Sequence, residues 1–238
     1  MSDRHGILDS ITDALVPVHR EGHKFIAIAL AAAVVGWLLW EPLGWLLALA
    51  GLFIAFFFRD PDRVTPLREG LLVAPADGRI SAIEKVKPPA ELGFADGADR
   101  VRVSIFLSVL DVHINRAPVA GRITRSVYIP GAFLNAALDK ASEENERRAL
   151  VITTPQGVEI GVVQIAGLIA RRIVTFASEG DSVGVGQRFG LIRFGSRVDL
   201  YLPPGRAAQA IVGQRAVGGE TVIADLKSEE GEREGRRS

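Results

Sequence analysis

Two long apolar stretches open the chain, and short alternating runs fill the rest. From Phe25 to Phe58 nearly every position is apolar, and the run breaks only at Glu41-Pro42. Each half, Phe25 to Trp40 and Leu43 to Phe58, reaches about 24 Å as a helix, slightly less than a ~30 Å hydrocarbon core. Pro42 would break or kink one continuous helix, so the pattern predicts a helical hairpin. The stretch is too long for a signal peptide and has no clear small-x-small cleavage site. A buried helix pair in a soluble core is the competing reading, but so many apolar positions without a polar face would need a large partner surface.

From Leu71 onward the pattern changes period. Runs such as Val101 to Val109, Gly157 to Gly167 and Arg172 to Phe176 are short, rich in β-branched residues and divided by Gly, Pro and Asp. They predict a β-rich domain. One segment, Asn135 to Arg147, is rich in Ala, Leu, Lys and Glu and predicts a helix. The segments that begin at Gly78, Gly180 and Val212 look like hairpins of a biotinyl/lipoyl-like barrel-sandwich fold. The last two loosely share a V-G-x-x-x-x-G spacing, which suggests a weak internal repeat. The expected fold class is therefore mainly β with some α: a barrel-sandwich-hybrid β-domain behind an N-terminal hydrophobic helical hairpin. The expected divisions are 1–24 as an N-terminal segment, 25–58 as the hairpin, 59–226 as the β-rich domain and 227–238 as a charged, disordered tail.

Charge sharpens the reading of the hairpin. Arg20 and Lys24 flank one end, Arg59 and Arg63 flank the other, and the Glu-Pro turn has no basic residue. By the positive-inside rule both ends are expected on the cytoplasmic side. Trp37, Trp40 and Trp45 gather at the turn, where a far-side interfacial belt would sit. The expectation is a hairpin that enters the cell membrane from the cytoplasm and spans it or re-enters. Overall the formal net charge is zero, which makes no electrostatic case for nucleic acid. With no cysteine, disulfides, thiol nucleophiles and cysteine metal sites are excluded. His113 is the only histidine after the hairpin, so a histidine-rich zinc site is implausible and no metal is expected.

The candidate chemistry lies in the run from Gly186 to Pro203, where Gly195-Ser196 interrupts a strongly β-prone pattern. Glycine inside such a pattern marks a bulge, a bend or a close backbone approach. A hairpin corner with an exposed serine is the plain reading. A strained bond cut by its own serine is the sharper one.

Several further blocks stand in order along the chain. They are F-F-F-R-D-P-D-R (Phe56 to Arg63), V-A-P-A-D-G-R-I (Val73 to Ile80), and F-L-S-V-L-D-V-H-I-N-R-A-P-V-A-G (Phe106 to Gly121). Y-I-P-G-A-F (Tyr128 to Phe133), L-D-K-A-S-E-E-N-E-R (Leu138 to Arg147) and Q-I-A-G-L-I-A-R-R-I-V (Gln164 to Val174) follow. F-G-S-R (Phe194 to Arg197) and V-G-G-E-T-V-I-A (Val217 to Ala224) close the set. With these blocks the chain resembles the phosphatidylserine decarboxylase proenzymes, in the short form of that family.

That resemblance implies self-cleavage between Gly195 and Ser196, giving fragments 1–195 and 196–238. Ser196 would become a covalent pyruvoyl group, which acts as the electron sink for decarboxylation, the role pyridoxal phosphate plays elsewhere. It implies phosphatidylserine as substrate and the lipid bilayer as partner, and it leaves room for a homo-oligomer. A serine needs a base, and the base an orienting group. His113 is the natural base, for self-cleavage, decarboxylation or both, and Asp77 is the candidate orienter. On its own, Asp77 in P-A-D-G reads equally as an Asx turn. In longer bacterial members the matching block carries two histidines three residues apart. His113 matches the first, and Arg116 stands at the second. Arg116, Arg193 and Arg197 are available for a carboxylate or phosphate, with surface salt bridges as the alternative. Two other functions remain open at this point. One is a membrane-anchored adaptor with no activity. The other is a Ser-His-Asp hydrolase using Ser196, His113 and Asp77, although Ser196 does not stand in a G-x-S-x-G elbow.

Overall fold

A computed structural model describes residues 16–131, 144–167, 172–193 and 195–236. The chain divides into two compact units, 1–62 and 63–238.

The first unit is the expected hairpin. Helix α1 runs Arg20–Leu39 and helix α2 runs Glu41–Phe57, with Pro42 in the first turn of α2. Proline is tolerated there because that N–H has no intrahelical partner. α1 begins at Arg20 rather than at Phe25, the first apolar residue. The His19 ring caps it by accepting from Glu21 N–H at 3.3 Å. At 20 residues α1 is about 30 Å long, enough for a hydrocarbon core. α2 has 17 residues and is shorter. The helices touch through small residues. A Cβ added to Gly36 would lie 3.1 Å from Gly44 Cα, and Ala33 is fully buried between them. Close backbone contact of this kind suits helices packing in lipid. Leu38, Leu39, Leu46, Leu49 and Leu52 point outward and are exposed.

The second unit is the expected β-rich domain. Its first strands are β1 (Leu71–Val73), β2 (Gly78–Val86), β3 (Arg100–Leu107), β4 (Ile114–Arg116) and β5 (Gly121–Ile129). Next come β6 (Arg147–Thr153), β7 (Glu159–Ala166), β8 (Ile173–Thr175) and β9 (Ser182–Val183). The last are β10 (Arg188–Ile192), β11 (Ser196–Tyr201), β12 (Arg215–Ala216) and β13 (Val222–Asp225). Eight strands form one curled antiparallel sheet in the order β12-β2-β3-β11-β7-β6-β5-β9. Two small sheets, β4-β10-β8 and β1-β13, complete the domain. Ile105 of β3, Val162 of β7, Val198 of β11, Phe189 of β10 and Ile223 of β13 share one core. The small sheets therefore close the hollow of the large one, and the barrel-sandwich expectation holds.

Of the three expected hairpins, only the segment from Gly78 pairs with the strand that follows it, β2 with β3; β9 pairs with β5 and β12 with β2 instead. The repeat is larger than the glycine spacing suggested. A-P-A-D-G-R-I (Ala74 to Ile80) and A-P-V-A-G-R-I (Ala117 to Ile123) occupy equivalent places. Val73 N–H donates to Pro118 O, and Arg116 N–H donates to Pro75 O, both at 2.9 Å. Gly219 N–H donates to Ala74 O, as Gly186 N–H does to Ala117 O, both at 2.8 Å. The domain thus has internal two-fold pseudosymmetry, and its axis passes between β11 and β7. Alternating side chains could not show this, because the paired segments are far apart in sequence.

Two expectations fall partly outside the described residues. The helix expected over Asn135 to Arg147 lies mostly within 132–143, and at its end Arg147 opens β6 instead. That end is pulled into the sheet by pairing with Ile165 and Ile129. The N-terminal segment lies mostly within 1–15. In the tail, residues 227–236 carry no helix or strand, yet Lys227 pairs with Glu69 and Arg233 with Glu230.

At both repeats a glycine lets two strands meet. A Cβ on Gly78 would lie 2.2 Å from Phe106 O, and one on Gly121 would lie 2.4 Å from Thr153 O. Gly121→Ala should therefore destabilise the domain by about 1–3 kcal/mol, the usual cost of overpacking. Chemical denaturation should show the midpoint falling with an unchanged slope.

Candidate active site

β11 is the central element of the site. Its residues are buried on both faces. Every residue from Ser196 to Tyr201 has a partner on β3 and another on β7. Alternation sends Val198 and Leu200 into the main core, so Ser196 faces the same way. Ser196 is fully buried at its position opposite Leu107 and Ala166. Its Oγ has no hydrogen-bond partner among the described residues. A buried hydroxyl without a partner is unusual and calls for an explanation.

The residue before it supplies the bend. Gly195 has φ of +58°, in the left-handed region. A Cβ there would meet nothing within 4 Å, so conformation rather than space selects glycine at this position. The sequence signal was therefore correct about a bend. The hairpin-corner reading expected an exposed serine, and the structure buries it, because the bend ends where the central strand begins. Phe194 lies outside the described residues.

His113 sits beside Gly195. Gly195 N–H donates to His113 Nε2 at 3.2 Å. The other ring nitrogen, Nδ1, lies 2.9 Å from Asp111 O. A carbonyl can only accept, so Nδ1 carries the proton and the Nε2 lone pair accepts from the Gly195 N–H. The ring is fully buried. Asp111 is itself fixed. Its carboxylate accepts from Ser108 N–H and Ser108 Oγ, each at 2.8 Å, and from Arg215 at 2.5 Å.

Asp77 is held elsewhere in the site. Its carboxylate accepts from Arg63 at 2.7 Å and from Gly218 N–H at 2.8 Å. The group that orients His113 Nδ1 is thus the Asp111 carbonyl, and Asp77 ties the 217–219 turn to Arg63. Arg116 lies by the same turn: its Cδ would be 2.9 Å from a Cβ on Gly219, and it donates to Gly186 O at 3.1 Å. Asp77 and Arg116 therefore form one cluster and His113 and Ser196 another. His113, just before β4, and Arg116, at its end, stand about 10 Å apart along the extended chain.

The remaining arginines separate. Arg197 points to the face opposite Ser196 and pairs with Asp199 at 2.9 Å. On that face burial, with Asp199 adding to it, pushes the Tyr201 phenol well above its usual range. Arg193 precedes the bend, and its backbone N–H donates to Arg172 O at 3.2 Å.

A family model described as phosphatidylserine decarboxylase matches residues 50–224. The chain belongs to that family. A phosphatidylserine decarboxylase proenzyme of Nitrobacter winogradskyi is 56% identical over 93% of this chain and 90% of its own length. One from Xanthobacter autotrophicus is 57% identical over 94% and 95%. Membership sets aside the adaptor and the hydrolase, and the chain is a decarboxylase.

Sequence reading missed Asp111, Arg63, Asn115 and Gln164 as parts of this region. Gln164 did leave a signal, as the one polar residue in V-V-Q-I-A, a run otherwise suited to a buried strand. No cluster of three or more His, Cys, Asp or Glu able to hold a metal occurs among the described residues. A cavity of about 450 Å³ lies away from Ser196, between Leu67, Val119, Val158 and Leu226.

The Asp111 contacts carry a prediction about stability. Asp111→Ala leaves the Ser108 N–H without its acceptor and should cost about 1–3 kcal/mol. Arg215→Ala removes only the exposed half of an ion pair, and should cost less than about 1 kcal/mol. Denaturation midpoints of the two variants test this ordering.

Proposed function

We propose that this chain cuts its own Gly195-Ser196 bond, converts Ser196 into a pyruvoyl group and uses it to decarboxylate phosphatidylserine to phosphatidylethanolamine. One observation carries the reading. Ser196 Oγ is buried and unpartnered, directly after a left-handed glycine whose N–H is held by His113 Nε2. The names of the relatives support the substrate, and the word proenzyme in those names supports the cleavage.

The residues present suit the reaction. Ser196 Oγ adds to the Gly195 carbonyl carbon, and His113 Nε2 takes the hydroxyl proton. The C–N bond then breaks, and the imidazolium returns that proton to the departing nitrogen. An ester now joins Gly195 to the Ser196 side chain. Loss of the Ser196 Cα proton expels the Gly195 carboxylate and leaves dehydroalanine. One water then releases ammonia and leaves the ketone of the pyruvoyl group. That ketone supplies an electron sink for the carbanion left when carbon dioxide departs.

The rest falls to the chain's own side chains. His113, oriented by Asp111 O, is placed to hold or deliver a proton beside the reacting centre. Arg116 and Arg193 are the cations assigned to the headgroup, while Arg197 is engaged by Asp199 on the other face. Ser196 and His113 are both fully buried in the uncut chain, so cleavage must precede substrate entry. The hairpin is the membrane anchor of this reading, with both ends on the cytoplasmic side. Asp77 and Arg63 hold the 217–219 turn beside Arg116 rather than taking a proton.

Intact-mass analysis of the 196–238 fragment tests the central claim. It should be lighter than a serine-started fragment by the mass of ammonia, and an ordinary N-terminal serine would refute the pyruvoyl group. Ser196→Ala should give one uncut, inactive chain. His113→Ala should slow cleavage about a hundredfold or more. The two wild-type fragments should co-elute without denaturant, because β11 lies between β3 and β7.

Removing residues 1–58 should abolish stable membrane attachment and leave cleavage intact, since the candidate residues all lie in the second unit. Liposome flotation measures the first effect and a denaturing gel the second. Flotation at the wild-type level would point to another anchor.

A further inference from the structure

A polar pair lies buried in the core beside Ser196, and the chemistry above leaves it without a role. Gln164 sits on β7 between Val163 and Ile165, and Asn115 on β4, and both are fully buried. Gln164 Nε2 donates to Asn115 Oδ1 at 2.7 Å. Asn115 Nδ2 and Gln164 Oε1 have no hydrogen-bond partner among the described residues.

The register places this pair. Val198 stands opposite Gln164, and Ser196 stands opposite Ala166, on the adjacent strands β11 and β7. Gln164 and Ser196 are therefore diagonal neighbours on one face, a spacing of about 7–8 Å that a long side chain can bridge. Asn115 follows His113 by two residues, and His113 holds Gly195 N–H. Gly190 keeps the space open, since a Cβ there would lie 2.9 Å from Gln164 Nε2. Three polar atoms without a hydrogen-bond partner among the described residues, Asn115 Nδ2, Gln164 Oε1 and Ser196 Oγ, thus belong to one buried region.

Evolution could remove such a pair at no cost in shape, because leucine and methionine are near-isosteres of the two amides. A donor that is idle in the ground state and satisfied only as charge develops is what accelerates a reaction. We propose that the Asn115–Gln164 pair supplies the oxyanion donor for self-cleavage. This inference rests on the self-cleavage reading above. As the Ser196 Oγ–C bond forms, the carbonyl electron pair of Gly195 moves onto its oxygen, and the free amide N–H₂ donates to that anion. The hydroxyl proton goes to His113 Nε2. Collapse restores the carbonyl, breaks the C–N bond and frees the amide again.

The experiment follows newly made full-length chain on a denaturing gel, with the melting temperature measured alongside. Asn115→Leu/Gln164→Met removes both amides at similar volume. Asn115→Asp keeps the shape and removes one amide donor. Both should slow cutting by about a hundredfold or more. The double variant should also melt at or above the wild-type temperature, because it buries no unpaired amide. Hydroxylamine cleaves the ester formed after the acyl shift. It should not restore cutting, since the slowed step comes before that ester. Cutting at the wild-type rate in either variant overturns the proposal. So does a lowered melting temperature in the double variant, which would mean a structural pair. Rescue by hydroxylamine overturns it as well, by placing the pair in the later elimination. The Ser196→Ala chain is run beside them. If that chain is cut, the self-cleavage reading itself has failed, whatever the amide variants do.

Discussion

Everything in the β-domain depends on the double pairing of β11. A strand with partners on both sides cannot shift by one residue without breaking two ladders and turning Val198 and Leu200 out of the core. That constraint fixes which way Ser196 points. It also removes water from the hydroxyl, since apolar side chains from β3 and β7 pack on the same face. In the proposed reading, a desolvated Ser196 hydroxyl near His113 would suit slow, single-turnover chemistry on the chain's own backbone. The same pairing explains why a cut at residue 195 would not release the C-terminal piece, because that piece contributes the middle of the sheet.

The pseudosymmetry shows how such a site can arise from a plain scaffold. The two A-P-x-x-G-R-I segments make matching backbone hydrogen bonds around one axis. Their side chains differ where it matters. Asp77 in the first is Ala120 in the second, and only Asp77 gathers Arg63 and the Gly218 N–H. Symmetry supplies a rigid frame, and departures from it supply the polar groups.

Burial of polar groups is the other theme. The outer face of β11 pairs Arg197 with Asp199, so its charges are compensated. The inner face leaves Ser196, Asn115 and Gln164 partly unsatisfied. A desolvated polar atom without a partner costs about 1–3 kcal/mol. The outer face carries some of this burden too, at Ser104 Oγ, but there the charges of Arg197 and Asp199 face each other, whereas the inner-face groups are neutral. The hairpin obeys a different rule, since its packing uses glycine and alanine and leaves the large apolar side chains outside.

The sequence by itself determined the two-part organisation, the period change from helix to strand, the bend at Gly195 and the family. These are local properties: apolar run length, alternation, a glycine in a strand and ordered short blocks. It also singled out Ser196 and His113, because one serine follows that glycine and one histidine remains after the hairpin. It could not decide partners far apart in the chain. Asp77 looked like the orienter of His113, but it turns to Arg63 and Gly218, while a backbone carbonyl two residues before His113 takes that role. Arg197 looked available, but strand alternation sends it to the far face. Asn115 and Gln164 lie 49 positions apart, and only β-pairing brings them together beside Ser196. Alternation along a strand can tell which residues share a face. Which strands lie next to each other depends on long-range pairing that no local pattern encodes, and that pairing made the site.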